Sequence, residues 1–303
     1  MTSWSSMVVG GLSGPCRQLD EVRPLLVDAF GEDVGGTGLL LDGHNAEARK
    51  GKHEVEGKDV NFLYGELLPE TVSVVLERLG ANLGGNILEL GMGTGKVAFQ
   101  AFLQCPNAQH VVGVELSSAR YDVAMASADR LASAHGDMFS AYAADADTIA
   151  ELIGQTAPPA GQAGSVARGH VLREVASGRS LVLLEGDLAA LAGPISGAKA
   201  IFMNLRLPPA ARSRAYAALQ HAPDSCRVFS LENLTWEWTL PEAAVLHAVG
   251  EGVVRGETEL YATSWCEEGY PFYIFRVDRS IPPSITADYA VEAVRDLYSQ
   301  GFF

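Results

Sequence analysis

Three glycines separated by single residues, Gly91, Gly93 and Gly95, follow the apolar run Asn86-Ile87-Leu88-Glu89-Leu90. A second apolar run, Val111-Val112-Gly113-Val114, ends on Glu115, twenty positions after Gly95. A strand entering a glycine turn lets backbone N–H groups approach a ligand closely, and a carboxylate at the next strand tip can take ribose hydroxyls. The spacing narrows the ligand. A dinucleotide fingerprint needs a third glycine where Lys96 stands, and a phosphate loop needs Ser or Thr at Val97 and Gly at Leu90. Neither pattern is met. What remains is an acidic residue, Glu89, leading into Gly-x-Gly-x-Gly. Without a ligand, the same glycines would make only a tight strand-to-helix turn.

The elements around this turn are readable from periodicity. Val72, Val75, Leu76 and Leu79 fall on one helical face, and Gly80 supplies a stop. Strands are predicted at 86–90, 110–115, 181–184, 200–203 and 227–230, with helices through Phe99 and Phe102, from Ser117 to His135, and from Pro208. Two aromatic-rich strands, at 259–265 and 270–277, close the pattern. Strands alternating with helices predict an α/β fold with a mainly parallel sheet ending in an antiparallel hairpin. The glycine turn is expected where the strand order reverses. Residues 1–60 read as a partly irregular N-terminal extension, 61–280 as the main domain, 155–168 as a flexible insertion and 281–303 as a C-terminal helix.

Composition sets the remaining bounds. The 303 residues carry a net charge of −15 and are 48% hydrophobic, enough for a substantial core. That charge argues against nonspecific nucleic-acid or anionic-membrane binding by the whole surface. A local exception is Arg49-Lys50-Gly51-Lys52, with Lys58 close behind: a solvated loop, or a contact for a phosphate backbone. Cys16, Cys105, Cys226 and Cys266 are far apart, with no Cys-x-x-Cys pair, so reduced thiols are expected and no metal is implied. No apolar run reaches bilayer length, and the first residues lack the charged start of a signal peptide, so an intracellular protein is expected.

Glu89 with Gly-x-Gly-x-Gly resembles the first motif of the class I methyltransferases that use S-adenosylmethionine (SAM). Phe62-Leu63-Tyr64-Gly65-Glu66 precedes it; Glu185-Gly186-Asp187, Ile201-Phe202-Met203-Asn204 and Thr263-Ser264-Trp265 follow, then Tyr270-Pro271-Phe272-Tyr273. In this order the set resembles the disruptor-of-telomeric-silencing (DOT) family of histone lysine methyltransferases, which lack the SET architecture. The resemblance implies a Rossmann-like, seven-stranded sheet and SAM as cofactor. It also implies a lysine of histone H3 in the nucleosome as substrate, and a nuclear location (cytoplasmic if the substrate is not a histone).

Carried over residue by residue, the family's pattern makes Tyr64, Gly65 and Glu66 the loop over the methionine end of SAM. Glu89, Gly91, Gly93 and Gly95 become the floor, Glu115 the ribose ligand and Asp187 the adenine ligand. Asn204 would lie beside the transferring methyl, and Trp265, Phe272 and Tyr273 would wall the lysine channel. As plain structure, Asp187 could equally cap the next helix, Trp265 fill core and Tyr64 pack. Because Phe272 and Tyr273 alternate across a strand, one must face away from the channel.

Three positions depart from the family. Leu205 stands where its second asparagine is expected, Phe272 where its channel tyrosine falls, and the basic docking segments shrink to the run around Arg49–Lys58. Two other readings therefore stay open: a class I methyltransferase of another protein or a small molecule, and a catalytically degenerate domain working through partner contacts.

Overall fold

The structure is a computed structural model that describes residues 15–31, 53–55, 58–60, 65–153, 166–188, 192–205, 207, 215, 218–232, 234, 246–248, 259–264 and 266–280. Tyr64, Trp265, Arg49, Lys50, Lys52 and the expected C-terminal helix lie outside these residues.

Among the described residues, nine strands lie in line in one sheet and a tenth pairs onto it. The five at its centre are parallel: β3 (Asn86–Leu90), β4 (His110–Glu115), β7 (Ser180–Gly186), β8 (Ala198–Met203) and β9 (Arg227–Ser230). β3 is the switch point, with β4 and then β7 on one side and β8 and then β9 on the other. Both faces of these strands are covered, so they read as continuous apolar runs rather than alternating ones. Ile87, Val111, Leu181, Ala200 and Phe229 join one core. Leu88, Val112, Val182, Ile201 and Val228 join the other.

The expected count of seven strands is exceeded because both sides of the sheet are extended. β5 (Phe139–Ala144) and β6 (Val166–Glu174) form an antiparallel pair laid on β7. β12 (Cys266–Val277) runs antiparallel to β9 and carries β11 (Glu259–Thr263) and β10 (Leu246–Ala248). The β11–β12 pair is the expected terminal hairpin. The expected insertion at 155–168 overlaps β6, whose ladder begins at Val166; 154–165 lie outside the described residues. Lys58 begins β2 (Lys58–Val60), which pairs with β1 (His53–Val55).

Helix α2 (Pro69–Leu79) ends at Gly80, whose φ of 60° closes the helix in the left-handed conformation. α3 (Lys96–Gln104) leaves the glycine turn, and α4 (Ser118–Ala134) follows β4 with the Ser117 hydroxyl accepting from the Arg120 amide at 3.3 Å. α5 (Ala146–Ile153) and α6 (Ala192–Ser196) complete the described helices, with isolated helical residues at Ala215, Ala218 and Leu219 where a helix from Pro208 is predicted.

The N-terminal region contains a helix the sequence reading does not anticipate, α1 (Leu19–Phe30). It buries Val22, Leu25, Leu26 and Ala29 in the same core as α2, α3 and α4. Its lead-in is fastened to the end of α3: the Arg17 amide donates to Gln104 O at 2.7 Å, and the Cys16 and Cys105 sulfurs lie 3.6 Å apart.

Candidate functional site

The C-terminal ends of β3, β4 and β8 meet at one place, and the glycine turn crosses it. Gly91, Gly93 and Gly95 have φ of 79°, 57° and 88°, a region in which side chains are strained. Gly91 also has a packing reason: a Cβ there would stand 2.6 Å from Leu205 Cδ2. The turn is tied to β4 by Gly91 and Met92 amides donating to Val114 O at 2.9 and 2.8 Å.

Glu115, at the tip of β4, is buried and organised by backbone. Its Oε2 accepts from the Gly93 amide and its Oε1 from the Ser117 amide, both at 2.8 Å. A carboxylate offers about four lone-pair sites, so this arrangement fixes the orientation of the group and suits a shared diol.

Glu89, expected in the cofactor floor, also caps α3. Its Oε2 accepts from the Ala98 amide at 2.7 Å, satisfying an orphan donor in the first turn of α3. Burial pushes its carboxyl well above the ordinary 4.5; the Ala98 bond opposes this, while the charges of Glu115 and Glu66 add to it. A raised value means that the folded state holds the proton more tightly than the unfolded chain does. Its stabilising contribution is complete below 4.5 and is lost as pH rises through the raised value. Glu89→Gln keeps an acceptor without the charge. Its melting temperature is therefore expected to fall less across that window than the wild-type protein's, when the two are compared by calorimetry at stepped pH.

Glu66 joins three segments. Its Oε1 accepts from the Thr94 hydroxyl at 3.1 Å and its Oε2 pairs with Lys96 Nζ at 3.0 Å. Its main chain is bonded both ways to residue 264: the Glu66 amide donates to Ser264 Oγ at 3.0 Å, and the Ser264 amide to Glu66 O at 2.8 Å. The Gly-Glu element and the Ser264 end of the hairpin thus touch, although 198 residues separate them. Asn204 closes the remaining side. Its Nδ2 donates to Gly65 O at 3.4 Å, while its Oδ1 is buried with no partner among the described residues.

Asp187 lies just past the end of β7, partly exposed. Glu185, in register with Glu115 on the next strand, accepts from the Ser118 hydroxyl and from Arg168, which β6 delivers to this edge. Arg168 also pairs with Asp122 at 2.8 Å and stacks over Tyr121.

The aromatic pair divides as strand geometry requires. Phe272 is 2% exposed and stacks on Phe229, with ring centroids 4.7 Å apart, in the core beside α1–α4. Tyr273 is half-buried on the opposite face, against Phe275, and burial raises its hydroxyl above the ordinary value of 10.0. The two residues therefore do not share one wall.

Gly65, Glu66, the glycine turn, Glu115 and Asn204 are brought together. Thr94, Lys96, Ser117, Leu205 and Ser264 belong to the same cluster and were not anticipated as site residues. Three of them left a trace in the sequence: Lys96 breaks the dinucleotide pattern, Leu205 stands in place of a second asparagine, and Ser264 lies within Thr263-Ser264-Trp265. Among the described residues no helix is long and apolar enough to cross a membrane, and no group of His, Cys, Asp or Glu could hold a metal ion.

No curated protein matches the chain. Among solved structures, TrmN from Thermus thermophilus superposes with a TM-score of 0.42 at 16% identity, covering 71% of this chain and 51% of that one. An O-methyltransferase from Bacillus cereus in complex with SAH gives 0.39 at 14%, over 91% and 94%. An rRNA methylase from Streptococcus thermophilus gives 0.38 at 12%, over 69% and 97%. At that level of superposition they speak to neither substrate nor site residues. A family model, described as histone methylation protein DOT1, matches residues 55–149, the span from the end of β1 into α5 that contains Glu66, the glycine turn and Glu115. Over those residues the chain is a match to the methyltransferase family that its motif order resembles.

Proposed function

We propose that the chain is a SAM-dependent protein-lysine methyltransferase acting on a core histone, histone H3 in the nucleosome. The observation that carries the reading is the pairing of Glu115 with the glycine turn, inside the span matched by the DOT1 family. The residues present fit the cofactor. A backbone-fixed carboxylate at the β4 tip suits ribose hydroxyls, and the left-handed glycines leave the floor without side chains. In this reading Tyr64, Gly65 and Glu66 cover the methionine end, and Asp187 takes the adenine amino group. Trp265 and the half-buried Tyr273 supply aromatic surface to the lysine slot, while Phe272 lies on the other face of the strand, stacked on Phe229.

SAM, when bound, supplies an electrophilic methyl group on a sulfonium. The chain has to present a neutral amine to it. Asn204 Oδ1, buried without a partner among the described residues, is an acceptor able to orient an incoming N–H. Leu205 beside it keeps the floor apolar, and burying a lysine amine lowers its pKa toward the neutral form. The contribution is one of orientation and desolvation, with no covalent enzyme intermediate. Arg49, Lys50, Lys52 and Lys58 are the proposed contact with the DNA backbone, which would make activity on nucleosomes fall as salt rises.

Leu205 also favours a second reading. Where the DOT family has a second amide, this chain has a leucine packed on Gly91, which suits a class I methyltransferase of another protein or a small molecule.

One experiment separates them: methyl transfer from labelled SAM to reconstituted nucleosomes beside free core histones, with Gly93→Arg as the blank. Label on histone H3 of nucleosomes alone supports the first reading. Label on neither, with SAM bound in calorimetry, moves the assignment to another substrate or to a degenerate enzyme. Glu115→Ala is expected to weaken SAM by about 1–3 kcal/mol through loss of charge-assisted bonds, read as Kd by calorimetry.

A further inference from the structure

The Lys96–Glu66 pair is an unusual thing to find beside a cofactor floor. Both side chains are largely withdrawn from water, 12% and 9% exposed, at an Nζ–Oε2 distance of 3.0 Å. Desolvating two charges costs about as much as their attraction returns, so such a pair is poor evidence of added stability. What it does supply is a directional tie. Lys96 is the first residue of α3, fixed to the end of the glycine turn. Glu66 belongs to the segment held against β11, where the Thr71 hydroxyl donates to Ala262 O at 2.8 Å and Leu67 bridges Thr263. Thr94, on the turn itself, adds a second bond to the same carboxylate. Beneath the ammonium lies the Phe30 ring at 5.9 Å, and Phe30 packs edge-on to Phe99 of α3 with centroids 4.9 Å apart. An aromatic face attracts a cation and limits where it can sit.

We propose that Lys96 is a positioning residue. Supported on Phe30 of α1, its ammonium clasps the Glu66 carboxylate and holds the 65–68 segment closed over the glycine turn. The N-terminal helix thereby becomes part of the binding machinery, since its last residue supports the cation that holds the segment. The inference rests on the proposed function in one respect: the closed segment is taken to cover the methionine end of SAM.

Three variants of the full chain test it: K96Q, K96R and E66Q, with the K96Q/E66Q double completing a cycle. Two readouts are used, the Kd for SAM by calorimetry and amide hydrogen exchange at Glu66 and Leu68. Loss of the clasp is expected to weaken SAM about tenfold in K96Q. Restoring the cation in K96R should bring affinity back to within about threefold of wild type. The double variant should be no weaker than either single one, because both remove the same interaction. Exchange at Glu66 and Leu68 should speed up in K96Q while amides in β3 keep their protection.

A K96Q Kd within about twofold of wild type, or losses that simply add in the double variant, would overturn the proposal. Should K96Q fail to fold, E66Q against K96R carries the same comparison. If the wild-type chain binds no SAM at all, the functional reading falls instead. The exchange data then decide the clasp alone: faster exchange in K96Q supports it, and unchanged exchange overturns it.

Discussion

Gly93→Arg is expected to abolish SAM binding, with no heat of binding in calorimetry at concentrations that saturate the wild-type protein. Two effects act together. Gly93 sits at φ 57°, where a residue with a Cβ costs about 1–2 kcal/mol. Its side chain would also start from the centre of the floor, next to the amide that donates to Glu115. The long cation would either fill the cofactor space or pair with Glu115, and either outcome keeps the ribose from its proposed ligand. The fold should survive, since the strain is confined to one turn and β3 pairs with β4 and β8 along its length. Retained affinity would show that SAM does not cross this turn.

Arg179→Met is expected to cause the largest loss of stability, about 3–5 kcal/mol, the scale for removing one partner of a buried ion pair. Arg179 Nε pairs with Glu174 at 2.9 Å, and its guanidinium reaches Phe102 O at 3.0 Å, Cys105 O at 2.7 Å and Ala108 O at 3.4 Å. α3 has no basic residue in its last turn, so Arg179 supplies from β6–β7 the cation that a helix C-terminus favours. Methionine preserves much of the stem packing but leaves the carbonyls unanswered and Glu174 without its paired cation. Burial alone would raise Glu174; the charge of Arg179 and the bonds from Ser177 and Arg179 hold it below its ordinary value. That contribution is present above the unfolded value and lost as pH falls through the lowered one. The variant should therefore melt about 5–8 °C lower at neutral pH, and the gap from wild type should narrow in acid.

The parallel centre of the sheet was legible because two-sided burial writes it as unbroken apolar runs: Val111-Val112-Gly113-Val114 and Leu181–Leu184 could be little else. The glycine turn and Gly80 announced themselves because positive φ selects glycine. The β5–β6 pair did not. Phe139–Ala144 is built largely of small residues, and Val166–Glu174 mixes Arg and His into its ladder, so neither shows the period or the bulk of a strand. α1 was obscured by Pro24 inside it, although Val22, Leu25, Leu26 and Ala29 do keep the helical spacing. At the site, local patterns name Glu66, the glycines and Glu115, but not how they are tied to the rest of the chain, because a bond such as Glu66–Ser264 leaves no mark in either neighbourhood.

The two-way bond between Glu66 and Ser264 also orders events in time. A chain emerging from the ribosome can assemble β3, the glycine turn, β4 and Glu115 once β7 and β8 have been made. The segment above that floor can meet Thr94 and Lys96 early, but its main-chain partners, β11 and residue 264, are synthesised nearly two hundred residues later. The floor of the site can form early, and its cover is fastened among the last long-range contacts to arrive.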